Sequence, residues 1–172
     1  MIPLRKNALL FMWVCALVLA LAPVSAQGSN RELFPDPSQA KADIAAALKV
    51  AARKHKRVLL DFGGDWCGEC QVLDLYLHDG NNLHILDAGF VLVHVNVGHV
   101  DTNLDIAEKY QVPVKRGVPL LAVLSDKGTL LYAQKRGEGE AMSRTESPSA
   151  VTSFLVRWKP ATAGCSAVML NC

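Results

Sequence analysis

Two cysteines separated by two residues, Cys67 and Cys70, follow the stretch Val58-Leu59-Leu60-Asp61-Phe62-Gly63-Gly64-Asp65-Trp66. The run from Val58 to Phe62 is apolar and β-prone, the mark of a buried strand. Gly63 and Gly64 break it, and the segment from Gln71 to Leu77 is helix-competent. A Cys-x-x-Cys between a strand and a helix is suited to dithiol redox chemistry. A helix N-terminus carries unsatisfied N–H groups and partial positive charge. A thiolate at Cys67 is stabilised there, so its pKa falls below the free value of about 8.5. Cys67 is then the attacking sulfur, and Cys70, one turn on and less exposed, resolves the mixed disulfide. Zinc sites share this spacing, and the pair can also be structural. The strand before it and Trp66 in front favour chemistry.

The elements that must hold this pair follow from the pattern of the chain. Residues 27–37 read as a polar, proline-containing linker, leading to a helix capped by Ser38 with Ile44, Leu48, Ala51, Ala45 and Ala52 on one face. The basic run from Arg53 to Arg57 suits a solvated C-terminal turn. After the strand at Val58 and the helix from Cys67 to about Leu77, the stretch from His78 to Asn82 interrupts and the segment from Leu83 to Asp87 resumes. Phe90 to Val97 reads as a second strand, central because both its faces are mostly apolar. A short helix from Asn103 to Tyr110 is capped by Asp101 or Thr102. The segments from Leu120 to Leu124 and from Thr129 to Ala133 flank the turn at Ser125-Asp126-Lys127-Gly128, a β-hairpin. A last helix starts at Ser147 or Ser149 and stops at Pro160. Helices between the early strands imply parallel pairing, and the hairpin adds antiparallel strands.

The chain has 172 residues, 51% of them hydrophobic, enough for one domain with a substantial core. Residues 1–26 read as an export signal. Arg5 and Lys6 form the positive start, an apolar run extends to Leu21, and Val24-Ser25-Ala26 fits a cleavage site. An uncleaved N-terminal membrane anchor is the alternative. Cys15 lies within the apolar run as filler. Of 18 basic side chains two lie in this leader, and the remaining 16 match the 16 acidic ones. A near-neutral mature chain argues against a nucleic-acid partner. Export, to a periplasm or the outside, places the remaining cysteines where disulfides persist.

Asp61-Phe62, Trp66-Cys67-Gly68 with Cys70, Gly117-Val118-Pro119 before a strand, and the closing hairpin and helix together resemble the thioredoxin superfamily, over roughly Val58 to Trp158. The resemblance implies a thioredoxin fold, an α/β architecture with a mixed central sheet and helices on both faces, over 38–160. It implies Cys67 as nucleophile, Cys70 as resolving thiol and Asp61 as the buried carboxylate behind them. It also implies a cis Pro119 which, with Val118 and Trp66, borders the substrate groove. His94 falls where the family often carries a lysine paired with that carboxylate. It either relays the Cys70 proton with Asp61 or is a packed strand histidine. His55, His78, His84 and His99 show no ligand spacing and read as surface or loop residues.

Three positions depart from the family's habit: Glu69 for Pro, Gly63 for an aromatic, and Gln71 for Lys. A carboxylate at Glu69 either opposes the Cys67 thiolate, making a reducing dithiol, or points into solvent. The tail 161–172 carries Cys165 and Cys172, which suit a local disulfide, an exchange partner for Cys67 and Cys70, or a soft-metal pair with Met169. The expected function is reduction or isomerisation of disulfides in exported proteins. It needs no organic cofactor and no metal, and draws on an upstream thiol reductant such as a membrane-borne relay. The rival is a non-enzymatic partner- or metal-binding module on the same fold, which in its narrowest form holds zinc through four cysteines.

Overall fold

The computed structural model describes residues 32–135 and 148–161. Its sheet has four strands: β1 (Arg57–Gly63), β2 (Phe90–Asn96), β3 (Leu120–Leu124) and β4 (Leu130–Ala133). They lie in the order β2-β1-β3-β4, with β1 and β2 parallel and the other pairs antiparallel. Five helices accompany them: α1 (Ala40–Lys54), α2 (Gly68–Leu77), α3 (Gly80–Gly89), α4 (Leu104–Lys109) and α5 (Pro148–Trp158). This is the mixed sheet of a thioredoxin fold.

Strand alternation builds two cores. Val58, Leu60 and Phe62 of β1, with Leu120, Ala122 and Leu124 of β3, face Ile44, Ala47 and Ala51 of α1 and Ile106 and Ala107 of α4. Leu59, Leu121 and Val123 face the other way, onto Leu73 and Leu77 of α2, Leu86 of α3, and Val151, Phe154 and Leu155 of α5. Asp61 shares that second face. β1 is buried from Val58 to Gly63, which is why its sequence is an unbroken apolar run apart from one carboxylate.

Several expectations change. β2 is the edge of the described sheet, not its centre. Helices cover both of its faces, and that suffices to make both apolar. In α1 the buried stripe is Ala40, Ile44, Ala47 and Ala51, while Ala45 and Ala52 point outward. Ser38 does not cap this helix. It sits in a 3-10 turn, Pro37–Gln39, and its own N–H and hydroxyl donate to Asp36 Oδ1 at 2.8 and 2.6 Å. Neither Asp101 nor Thr102 caps α4. Asn103 stands at that position, and Asp101 instead accepts from the His99 N–H at 3.1 Å. α3 begins at Gly80, so the break after α2 is shorter than the polar run from His78 to Asn82 suggested. The basic run after α1 does more than sit in solvent. His55 closes the helix in a left-handed conformation, Lys56 Nζ donates to the Asp87 carbonyl, and Arg57 donates to the Trp158 carbonyl at 2.7 Å.

The stretch that composition marks as a linker is structural from Leu33 onward. Asp65 Oδ1 accepts from the Leu33 and Phe34 N–H groups at 2.7 and 3.2 Å. Asn96 and Asn103 donate to the Pro35 and Pro37 carbonyls at 3.0 and 2.8 Å. Phe34 is thereby driven into the interior, 2% exposed. The leader 1–26, the start of the linker and the tail cysteines Cys165 and Cys172 lie outside the described residues. Among the described residues no helix is long and apolar enough to cross a membrane.

Candidate active site

Cys67 and Cys70 meet where β1 turns into α2. Cys67 is the N-cap of α2, and its Sγ accepts the Cys70 N–H at 3.2 Å, the place a capping oxygen normally fills. The two sulfurs are joined in a disulfide, with Cα atoms 5.2 Å apart. Cys70 is fully buried and Cys67 nearly so. A thiolate at Cys67 would receive the N–H of the first helical turn and the positive end of α2, the arrangement that favours a reactive sulfur.

The Val118-Pro119 peptide is cis, and the Val118 carbonyl oxygen lies 3.8 Å from Cys67 Sγ. Gly117 before it has φ +129°, a conformation that favours glycine. Trp66 flanks the pair, 47% exposed, with its Nε1–H donating to the Gly98 carbonyl at 2.6 Å. Its ring stacks on His99 at 5.3 Å, so His99 is a neighbour of the site and not merely a loop residue. Glu69 lies half-buried in the first turn of α2.

Behind the disulfide, Asp61 is fully buried and pairs in register with His94 across β1 and β2. His94 Nδ1 lies 3.0 Å from Asp61 Oδ2. Asp61 Oδ1 has no hydrogen-bond partner among the described residues. Sequence reasoning missed the other groups here. Asp74, buried on the inner face of α2 beside Cys70, Leu73 and Leu77, lies 3.6 Å from His94 Nε2 and 3.1 Å from His78 Nδ1. A carboxylate in an apolar helical stripe, four residues from both Cys70 and His78, was the available signal. Phe34 packs on Cys67, Cys70 and Val118 and meets the His94 ring edge-on at 5.1 Å. A Cβ at Gly63 would stand 2.7 Å from both Cys70 Sγ and Phe34 Cζ. Phe34 thus fills from outside the strand the space that an aromatic at position 63 would need.

The thioredoxin fold thus carries a buried Cys-x-x-Cys disulfide at a helix N-cap, beside a cis X–Pro carbonyl and backed by an interior carboxylate. The thioredoxin-like family model matches residues 39–125, and the chain belongs to that family. Among solved structures it is similar to a disulphide isomerase from Xylella fastidiosa Temecula1, with 28% identity, a TM-score of 0.66, and coverage of 73% of this chain and 95% of that one. The C-terminal domain of DsbD from Neisseria meningitidis in its reduced form shares the fold at 20% identity and a TM-score of 0.50, covering 74% of this chain and 100% of that one. No curated protein sequence matches the chain.

Proposed function

We propose that this protein is an exported thiol–disulfide oxidoreductase that reduces or isomerises disulfides in protein substrates. The observation that carries the reading is Cys67 at the N-cap of α2, its Sγ accepting the Cys70 N–H and lying beside the Val118 carbonyl. Similarity to a disulphide isomerase supports it. The reading of residues 1–26 as a signal supports export.

In the reduced protein the Cys67 thiolate attacks a substrate disulfide. A Cys67–substrate S–S bond forms, and the other substrate sulfur leaves as a thiolate. Cys70 then gives up its proton and attacks Cys67 Sγ, closing the intramolecular disulfide and releasing the second substrate sulfur. Trp66, Val118 and Pro119 border the groove in which an extended substrate segment lies. Asp61 receives the Cys70 proton. Asp61 lies two residues before Gly63 on β1 and so shares its strand face, the face on which Cys70 Sγ lies. A thiol reductant, such as a membrane-borne relay, reopens the disulfide.

The test is trapping. A Cys70→Ser variant incubated with disulfide-bonded proteins should accumulate mixed disulfides through Cys67, and Cys67→Ser should not. If Cys70→Ser captures no more than Cys67→Ser does, the site does not exchange disulfides. A non-enzymatic module on this fold would then be the better reading.

A further inference from the structure

We propose that Phe34 sets the balance of the redox reaction: its ring walls the Cys67–Cys70 pair with apolar surface and so favours the disulfide over the two thiols. This role makes the dithiol a better reductant. It rests on the reading above, in which the pair is oxidised and reduced reversibly.

Phe34 belongs to neither β1 nor α2. It reaches the pair from a strap, residues 33–37, that leads toward α1. Three separate segments clasp this strap. Asp65 Oδ1 accepts from the Leu33 and Phe34 N–H groups at 2.7 and 3.2 Å, Asn96 Nδ2 donates to the Pro35 carbonyl at 3.0 Å, and Asn103 Nδ2 donates to the Pro37 carbonyl at 2.8 Å. Pro35 and Pro37 have φ fixed by their rings, so the strap gives up less chain freedom in taking this path. A side chain carried on it has little scope to withdraw.

The ring is 2% exposed and shares one apolar cluster with Cys67 and Cys70, against which Leu33 and Val118 pack. The His94 ring meets it edge-on at 5.1 Å. Gly63 shows how close the ring and the buried sulfur are. A Cβ there would stand 2.7 Å from Cys70 Sγ and 2.7 Å from Phe34 Cζ. The ring tip and the sulfur thus face each other across the glycine, with no side chain between them. Interiors packed this closely leave no spare volume for a group that must grow.

Reduction by two glutathione thiols breaks the Cys67–Cys70 S–S bond and makes one glutathione disulfide. Two electrons pass to the pair. Of the two protons the glutathione thiols give up, one ends on Cys70 and the other on Cys67 or in solvent. The disulfide is compact and has no donor to satisfy. The products are larger and more polar: the sulfurs part from bonding to contact distance, and Cys70 becomes an S–H donor. On the Cys67 side the Cys70 N–H is at hand, 3.2 Å from Sγ. Cys70 itself is fully buried, and the ring beside it supplies neither room nor a polar partner. Phe34 therefore opposes the reduced state more than the oxidised one.

The test is the equilibrium with glutathione at pH 7 of the protein with Cys165 and Cys172 replaced by serine. Free thiols are trapped by alkylation and counted by mass, so the readout does not depend on fluorescence. Phe34→Ala should move the equilibrium about tenfold toward the dithiol, which is about 30 mV more oxidising. Phe34→Leu, which keeps an apolar wall and disturbs the fold less, should move it the same way by about threefold. Urea unfolding should show the oxidised form of each variant losing more stability than its reduced form. A merely structural role would weaken both forms equally and leave the equilibrium in place. Variants within about 1.5-fold of the parent, or shifted toward the disulfide, overturn the role of Phe34 and leave disulfide exchange standing. If Phe34→Ala does not fold, Phe34→Leu decides between these outcomes. A parent protein with no reversible equilibrium overturns the redox reading beneath the proposal.

Discussion

Replacing Gly63 with alanine should destabilise the oxidised protein by about 1–2 kcal/mol, and about half of that cost should depend on Phe34. An added Cβ would stand 2.7 Å from Cys70 Sγ, 2.7 Å from Phe34 Cζ and 3.1 Å from Phe34 Cε1. Non-bonded carbons pack at about 3.5–4.0 Å, so both contacts are too close by roughly 1 Å. Neither neighbour gives way easily. Cys70 is tied into the disulfide, and the Phe34 ring is packed between Leu33, Val118 and the His94 ring. Overpacking of this kind costs about 1–3 kcal/mol. Restricting the unfolded chain by Gly→Ala offsets at most about 1 kcal/mol of it. Phe34→Ala alone should cost about 3–5 kcal/mol, the range for a buried phenylalanine. In that background one of the two overlaps is gone, and the added cost of Gly63→Ala should fall by about 0.5–1 kcal/mol, a coupling typical of residues in contact. The assay is a double-mutant cycle by urea unfolding of the oxidised forms. Equal cost of Gly63→Ala with and without Phe34, or no cost at all, would refute the idea that Phe34 takes the place of a side chain at position 63.

Other expectations follow from contacts elsewhere. Buried Asn82 donates to the Tyr76 and Pro148 carbonyls at 2.9 Å each and accepts from the Thr152 hydroxyl at 2.5 Å, tying α3 to α5. Asn82→Ala should cost about 2–4 kcal/mol by stranding these partners, read as a lower urea midpoint at unchanged slope. Glu69→Gln should make the dithiol more oxidising by up to about 30 mV, a tenfold change in its equilibrium with glutathione. An unchanged potential would mean that solvent screens this carboxylate from Cys67. The Ser38 hydroxyl and N–H hold the Asp36 carboxyl below the usual carboxylate range. Because its folded value lies below its unfolded one, that contribution is complete above about pH 4 and is lost as pH falls through the folded value. Hydrogen exchange around Leu33–Gln39 should therefore rise in acid before the core opens, and Asp36→Asn should remove the pH dependence.

Much of this was legible from local pattern. The unbroken apolar run at Val58, the glycines after it and the cysteine spacing place a dithiol at a helix mouth, where the structure puts it. The turn from Ser125 to Gly128 announces its hairpin, and counting along β2 puts His94 level with Asp61, which the strand register gives directly. What stayed hidden is long-range. Phe34 looks like an isolated aromatic in a polar stretch, and only Asp65, Asn96 and Asn103, from three separate segments, reveal why it is buried. Asp74 looks like the polar side of an amphipathic helix until the fold turns it toward His94. β2 read as central because apolar residues on both faces report coverage by helices and carry no information about neighbouring strands. His99 lacked ligand spacing, and its relation to Trp66 is a stacking contact between two loops that no periodicity encodes.

The function proposed for Cys67 and Cys70 requires a reversible, reducing dithiol. The most direct measurement is the fluorescence of the protein, with Trp66 beside the pair as reporter, across glutathione and dithiothreitol buffers, with Cys165 and Cys172 replaced by serine. A single two-electron transition near that of thioredoxin, about −270 mV, is the predicted result. A midpoint near about −120 mV would make the protein a disulfide donor and contradict the reducing assignment. The absence of any reversible transition would contradict the claim altogether.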